Sequence, residues 1–286
     1  MLTKEEIRIR DPFILVDRDT ETYYMYGTTD ENTWEGKGSG FNAYKSKDLL
    51  EWDGPFSVFK PNELFWADRH FWAPEVYYYR NNYYMFASFK SEDKRRGTQV
   101  LTANDPLGPF EPLTEKPVTP REWECLDGTL YVDHNNDPWM VFCHEWIQVK
   151  DGEICAIKLS EDLTTSIGEP KILFRASEAK WPARNTQYVT DGPFLFRNKK
   201  DELLMIWSSM GAKGYAMGIS KSLTGNVLGP WEHEEDAFFD ENGGHGMLFE
   251  TLDRELRLAI HAPNNMPNER PVFLNIKEEN GSLKLI

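Results

Sequence analysis

Four acidic residues and one histidine recur at related places along the chain: Asp11, Glu75, Asp127, Asp191 and His245, at intervals of 64, 52, 64 and 54 residues. Each leads an apolar run, among them Pro12-Phe13-Ile14-Leu15-Val16, Gly128-Thr129-Leu130-Tyr131-Val132 and Gly192-Pro193-Phe194-Leu195-Phe196. An Asp before Pro or Gly often does no more than make a turn, but turns have no need of a common phase. Carboxylates gathered in one place repel one another, and loss of water raises some of their pKa values. One group then stays ionised while another stays protonated, which are the two roles needed to cleave a glycosidic bond with water.

A second repeat shows what must position them. Ser46-Lys47-Asp48-Leu49, Ala103-Asn104-Asp105-Pro106-Leu107, Ser160-Glu161-Asp162-Leu163 and Ser220-Lys221-Ser222-Leu223 recur every 57 to 60 residues. Three of the four are followed by Gly-Pro-aromatic (Gly54-Pro55-Phe56, Gly108-Pro109-Phe110, Gly229-Pro230-Trp231), and the third by Gly168-Glu169-Pro170 alone. Between these phrases, pairs of apolar runs are joined by polar turns such as Arg80-Asn81-Asn82 and Asn198-Lys199-Lys200-Asp201, which are hairpin signals. Five units of three or four strands predict an all-β chain folded as a five-bladed β-propeller, one domain over residues 1–286. The innermost strands of a propeller follow its axis, so residues at their starts meet at one end of a central channel.

Composition agrees. Aromatic residues make up 14% of the 286, a strand-favouring excess. The net charge of −15 argues against a nucleic-acid partner, whose phosphates it repels, and leaves a neutral glycan as an acceptable one. No stretch is long enough to span a membrane, and Met1-Leu2-Thr3-Lys4-Glu5-Glu6 lacks the apolar core of a signal peptide. With three cysteines (Cys125, Cys143, Cys155) in no metal-ligand spacing, the expectation is a cytoplasmic protein with reduced thiols.

The motifs carry a resemblance. Arg10-Asp11-Pro12-Phe13-Ile14, Trp72-Ala73-Pro74-Glu75-Val76, Leu126-Asp127-Gly128-Thr129, Asp191-Gly192-Pro193-Phe194 and Gly243-Gly244-His245-Gly246 resemble the blade starts of glycoside hydrolase family 43, in order and over residues 8 to 276. The resemblance implies an inverting hydrolase of arabinose- or xylose-containing oligosaccharides. Asp11 would be the general base, Asp127 the residue that raises and orients the acid, and Asp191 the general acid. The family's usual residue at that last place is Glu, and Asp is one methylene shorter. The His at the last motif lines the channel in the family and faces a hydrated calcium or a water cluster, so His245 is the candidate metal contact, with water supplying most ligands. Arg270 matches a last-blade arginine that faces the sugar.

Other residues compete for roles. Glu145, in His144-Glu145-Trp146, is the rival acid, because a strand returning from Trp139-Met140-Val141-Phe142-Cys143 ends at the face where Asp127 begins. His144 and Glu75 are expected at the substrate, as are Trp72 and Trp34 as platforms for sugar rings. Glu124, in a Trp-Glu-Cys motif like the acid motif of the invertase-like family 32, is a weaker rival. A glycan-binding propeller without activity and a protein-interaction propeller are the alternatives from other classes.

Overall fold

The computed structural model describes residues 1–184 and 187–286. Among these the chain forms five antiparallel sheets, and four consecutive strands make each one. Blade 1 carries a fifth strand, Leu2–Thr3, on its outer edge. The inner strands are Arg10–Asp17, Arg69–Tyr79, Cys125–Val132, Asp191–Arg197 and Gly244–Glu250, packed side by side around one axis. The five-bladed all-β propeller expected from the repeats is the observed fold.

Blades pack face to face, so their middle strands lose the in–out alternation of a half-buried sheet and are apolar on both faces. Every residue of Thr22–Thr28 is buried, and Cys155, Ala156 and Ile157 are as deeply covered as Val141, Phe142 and Cys143 beside them. The outermost strands, such as Ser166–Arg175, are largely exposed. The repeated Ser-x-Asp-Leu phrase turns the third strand of a blade into the fourth. In blade 1, Ser46 Oγ accepts the Leu49 amide proton at 2.9 Å, and in blade 3 the Ser160 carbonyl accepts that of Leu163 at 2.9 Å. Both leucines are buried in the left-handed conformation.

Each inner strand begins with a bulge. Pairing with the second strand skips the residues between Arg10 and Phe13, Trp72 and Glu75, Leu126 and Thr129, Asp191 and Phe194, and Gly244 and Met247. The first skipped residue has positive φ in all five: Asp11 (53°), Ala73 (46°), Asp127 (55°), Gly192 (49°) and His245 (49°). An extra residue of this kind bends the strand and re-aims its side chain. Bulges at the start of every inner strand therefore swing Asp11, Asp127 and His245 off the sheets and toward the axis.

Four of these five residues stitch their blade to the one before. The Ala73 amide donates to Thr28 Oγ1 (2.8 Å), Asp127 to Ser88 Oγ (2.9 Å), His245 to Ser208 Oγ (2.8 Å) and Asp11 to His261 Nδ1 (3.1 Å). Each acceptor lies on the second strand of the preceding blade. Since every blade is built from contiguous chain, blades 5 and 1 are joined by side chains: Arg10 to Glu269 and Asn264, Arg18 to Glu250, and Arg270 to the Glu5 carbonyl.

Candidate active site

A cavity of about 490 Å³ opens at the end of the axis where the bulges lie. Asp11, Asp127, Asp191, His245, Arg10, Trp34, Trp72, Glu145, Tyr215 and Asn264 all line it. The three aspartates and His245 that the sequence placed together are together. They are not equivalent. Asp11, Asp127 and His245 share the bulge position, whereas Asp191 stands one residue before it and Glu75 two residues after it.

The carboxyl groups differ sharply in environment. Burial would raise Asp11, but the charges of His245 (Nδ1 3.2 Å from Oδ1) and Arg10 hold it well below the usual carboxylate range. Thr28 Oγ1 donates to its Oδ2 at 2.7 Å. His261 is neutral, because burial lowers its proton affinity and its Nδ1 accepts the Asp11 amide proton; its Nε2 lies 3.2 Å from Asn264 Oδ1. That Nδ1 also sits 3.3 Å from Asp11 Oδ1, but it cannot both accept one proton and donate another. Asp127 is pushed up to about 7 by burial and by the charge of Asp11, against the hydrogen bond from the Gly192 amide to its Oδ2 (3.0 Å). Asp191 is pushed up to about 7 by burial and by Asp127, although Tyr215 Oη donates to its Oδ2 at 3.0 Å. One carboxylate is thus held ionised beside two that keep a proton near neutrality, the division of labour of acid–base catalysis.

Residues 6–278 match the model of the glycosyl hydrolases family 43. The chain belongs to that family. The endo-arabinase from Bacteroides thetaiotaomicron VPI-5482 superposes with a TM-score of 0.91 at 41% identity, covering 98% of each chain. The extracellular exo-α-(1→5)-L-arabinofuranosidase ArbA of Cellvibrio japonicus (strain Ueda107) is 26% identical over 56% of this chain. The extracellular endo-α-(1→5)-L-arabinanase 1 of Bacillus subtilis (strain 168) is 24% identical over 50% of it. The matches span about half the length of these two curated relatives, 46% and 45%.

Both curated relatives are named extracellular, and this contradicts the expectation of a cytoplasmic protein. The thiols misled for a structural reason. Cys125, Cys143 and Cys155 are unpaired and sealed in blade interiors, so their number says nothing about the redox state outside.

Not every expected residue of this family-43 site reaches the cavity. His144 does not line it: its ring stacks on Trp123 at 4.2 Å, and its nitrogens face Glu153 Oε2 and Gln148 Oε1, both at 3.0 Å. The strand ends at His144, and Glu145 is the N-cap of the short helix Trp146–Val149, so the two neighbours face different ways. Arg270 is also spent elsewhere, on the carbonyls of Glu5, Pro267 and Glu269. Glu124 is clamped by Lys90 (2.7 Å to both oxygens) and by the Arg96 amide (2.9 Å), away from the cavity lining. Glu75 is buried below the cavity, bonded to the Tyr77 hydroxyl, which in turn meets Thr129 Oγ1 at 2.7 Å. Glu145 does line the cavity; burial raises its pKa, but its carboxylate is paired with the Arg96 guanidinium, which works the other way.

Trp72 lines the cavity with one face already occupied. His70 stacks on it at 4.5 Å and Arg96 lies 4.1 Å from its ring, the two joined by a 3.0 Å hydrogen bond. Trp34 meets it edge to face at 5.1 Å and is 47% exposed. Among the described residues no three His, Cys, Asp or Glu side chains are arranged to hold a metal. His245 Nδ1 is turned to Asp11 and Asp127, so an ion here would take its ligands from water.

Sequence reading missed Arg10, Arg96, Tyr215 and Asn264. Arg96 hid in the solvated-looking run Lys94-Arg95-Arg96, and Tyr215 sits on a third strand, outside the blade-start motifs.

Proposed function

We propose that this chain hydrolyses α-L-arabinofuranosyl linkages with inversion of configuration. The observation that carries the reading is the division among three carboxyl groups in one cavity: Asp11 held ionised, Asp127 and Asp191 raised to about 7. Asp11 takes a proton from the attacking water, and Thr28 and His245 fix its oxygens. Asp191 gives its proton to the leaving oxygen, oriented by Tyr215. Asp127 keeps that proton in place by its proximity, and Trp34 offers an open aromatic surface to a sugar ring. The whole-length likeness to an endo-arabinase supports arabinan over xylan as the substrate.

The test is turnover of linear α-1,5-arabinan and of aryl α-L-arabinofuranosides and β-D-xylosides, with product anomers followed by NMR. The expected result is cleavage of the arabinosyl substrates, a β-anomer formed first, and at least a thousandfold loss in Asp11→Asn with the fold intact, given that general-base catalysis and water positioning act together. A retained anomer, or full activity in Asp11→Asn, overturns the mechanism. Binding without turnover on every substrate makes the chain a glycan-binding propeller.

A further inference from the structure

The five bulge amides share one stitching scheme with a single exception. The second-strand residues paired with the position just before each bulge are Thr28, Ser88, Cys143, Ser208 and His261. Four of them accept the amide proton of the next blade's bulge residue, at 2.8 to 3.1 Å. The exception is blade 3. There the residue is Cys143, whose sulfur is a weak acceptor, and the amide of Gly192 goes instead to Asp127 Oδ2 at 3.0 Å.

Gly192 has no freedom to look elsewhere. Its φ is +49°, and a Cβ on it would lie 2.7 Å from the His245 ring. Its N–H direction is therefore set by the bulge, and a buried amide of this kind must find an acceptor. The Cys143 thiol withholds one, and the Asp127 carboxylate supplies it.

We infer that Cys143 is a positioning residue for Asp127: by being a poor acceptor at the one joint between blades 3 and 4, it commits the Gly192 amide to the Asp127 carboxylate and fixes that group's rotation. This rests on the function proposed above for its consequence, but not for its geometry. A carboxyl group pinned through one oxygen holds a constant orientation toward Asp191 and His245. A serine at 143 would restore the scheme seen at Ser88 and Ser208, because it stands at their register. The Gly192 amide would then turn to the serine Oγ and release Asp127.

The experiment compares Cys143→Ser with Cys143→Ala in the full chain. The first readout is the amide proton of Gly192 by NMR. It is expected to keep its wild-type, carboxylate-bonded downfield shift in Cys143→Ala and to move upfield in Cys143→Ser. The second is turnover of an aryl arabinofuranoside, where Cys143→Ser is expected to show a roughly tenfold lower kcat than Cys143→Ala at similar KM. Thermal stability, read on both, separates packing from positioning. If the Gly192 signal is the same in the two variants, the inference is wrong. If it moves as expected while neither variant nor the parent turns over any arabinoside, the positioning stands and the proposed function fails.

Discussion

Arg10 and Glu269 lie 259 residues apart in the chain and 3.0 Å apart in space, Nη1 to Oε1, with the Glu269 side chain wholly buried. The pair bridges the first and last blades directly beside Asp11. A propeller whose blades are each contiguous has no shared sheet to close it, so this seam and the Asp11–His261 bond take that task. Glu269→Ala leaves Arg10 buried without its salt-bridge partner and with Asn264 as its remaining acceptor there, a change that costs about 3 kcal/mol. Urea denaturation should show that loss, and Glu269→Gln, which keeps an acceptor, should show less. A loss below about 1 kcal/mol in the alanine variant would place closure elsewhere.

The choice between Asp191 and Glu145 as acid can be made by leaving group. A general acid matters most when the departing oxygen is a poor leaving group. Asp191→Asn should cost roughly 10²–10⁴-fold in kcat/KM on arabinan and far less on a nitrophenyl arabinoside. Glu145→Gln should weaken both substrates alike, because it acts through Arg96. The pH profile has a sign that follows. The acid works protonated and the Asp127–Asp191 pair titrates near 7, so activity falls as pH rises through about 7. Asp11 stays ionised far below the carboxylate range, so no matching loss occurs between pH 7 and 5. Reversal of the leaving-group pattern between the two variants would transfer the role to Glu145.

Much of this was legible in one dimension. Asp11, Asp127 and His245 were readable because a residue forced into positive φ is followed by Pro or Gly in each of their motifs, and such motifs repeat. The phase of a bulge is not readable. Asp191 and Glu75 looked equivalent to the others and are displaced by one residue and two, since spacing between blade starts varies with loop length. Side-chain direction was the second blind spot. His144 and Glu145 are neighbours, and only the strand's end at His144 and the short helix Trp146–Val149 decide which one faces the cavity. Arg10 and Asn264 escaped because their pairing crosses the whole chain.

Trp34 and Trp72 should separate cleanly when mutated. Trp34 is half exposed at the cavity, with the Arg10 guanidinium 5.0 Å from its ring, so under the proposed function its loss removes substrate contact and little packing. Trp34→Ala should raise KM about tenfold, equivalent to about 1.4 kcal/mol, with an unchanged melting temperature. Trp72 donates from Nε1 to the Thr33 carbonyl at 2.6 Å and supports His70 and Arg96, so Trp72→Ala should lower the melting temperature as well. Equal melting temperatures with equal KM would remove the distinction.

Glu75 offers a test of burial that leaves catalysis aside. Its carboxyl group is pushed up to about 7, mainly by burial, while in the unfolded chain it titrates near its ordinary value. Below that ordinary value both states are protonated and the group is neutral in the folded protein. As pH rises toward 7 the unfolded chain releases the proton first, so folding stability falls with pH across this window. Glu75→Gln removes the titration and keeps an oxygen for the Tyr77 hydroxyl. The variant should therefore match the wild type at pH 4 and exceed it at pH 8, by about 3 kcal/mol or several degrees in Tm. Thermal melts at the two pH values decide it: a constant difference between variant and parent would mean that Glu75 is not carrying a burial penalty.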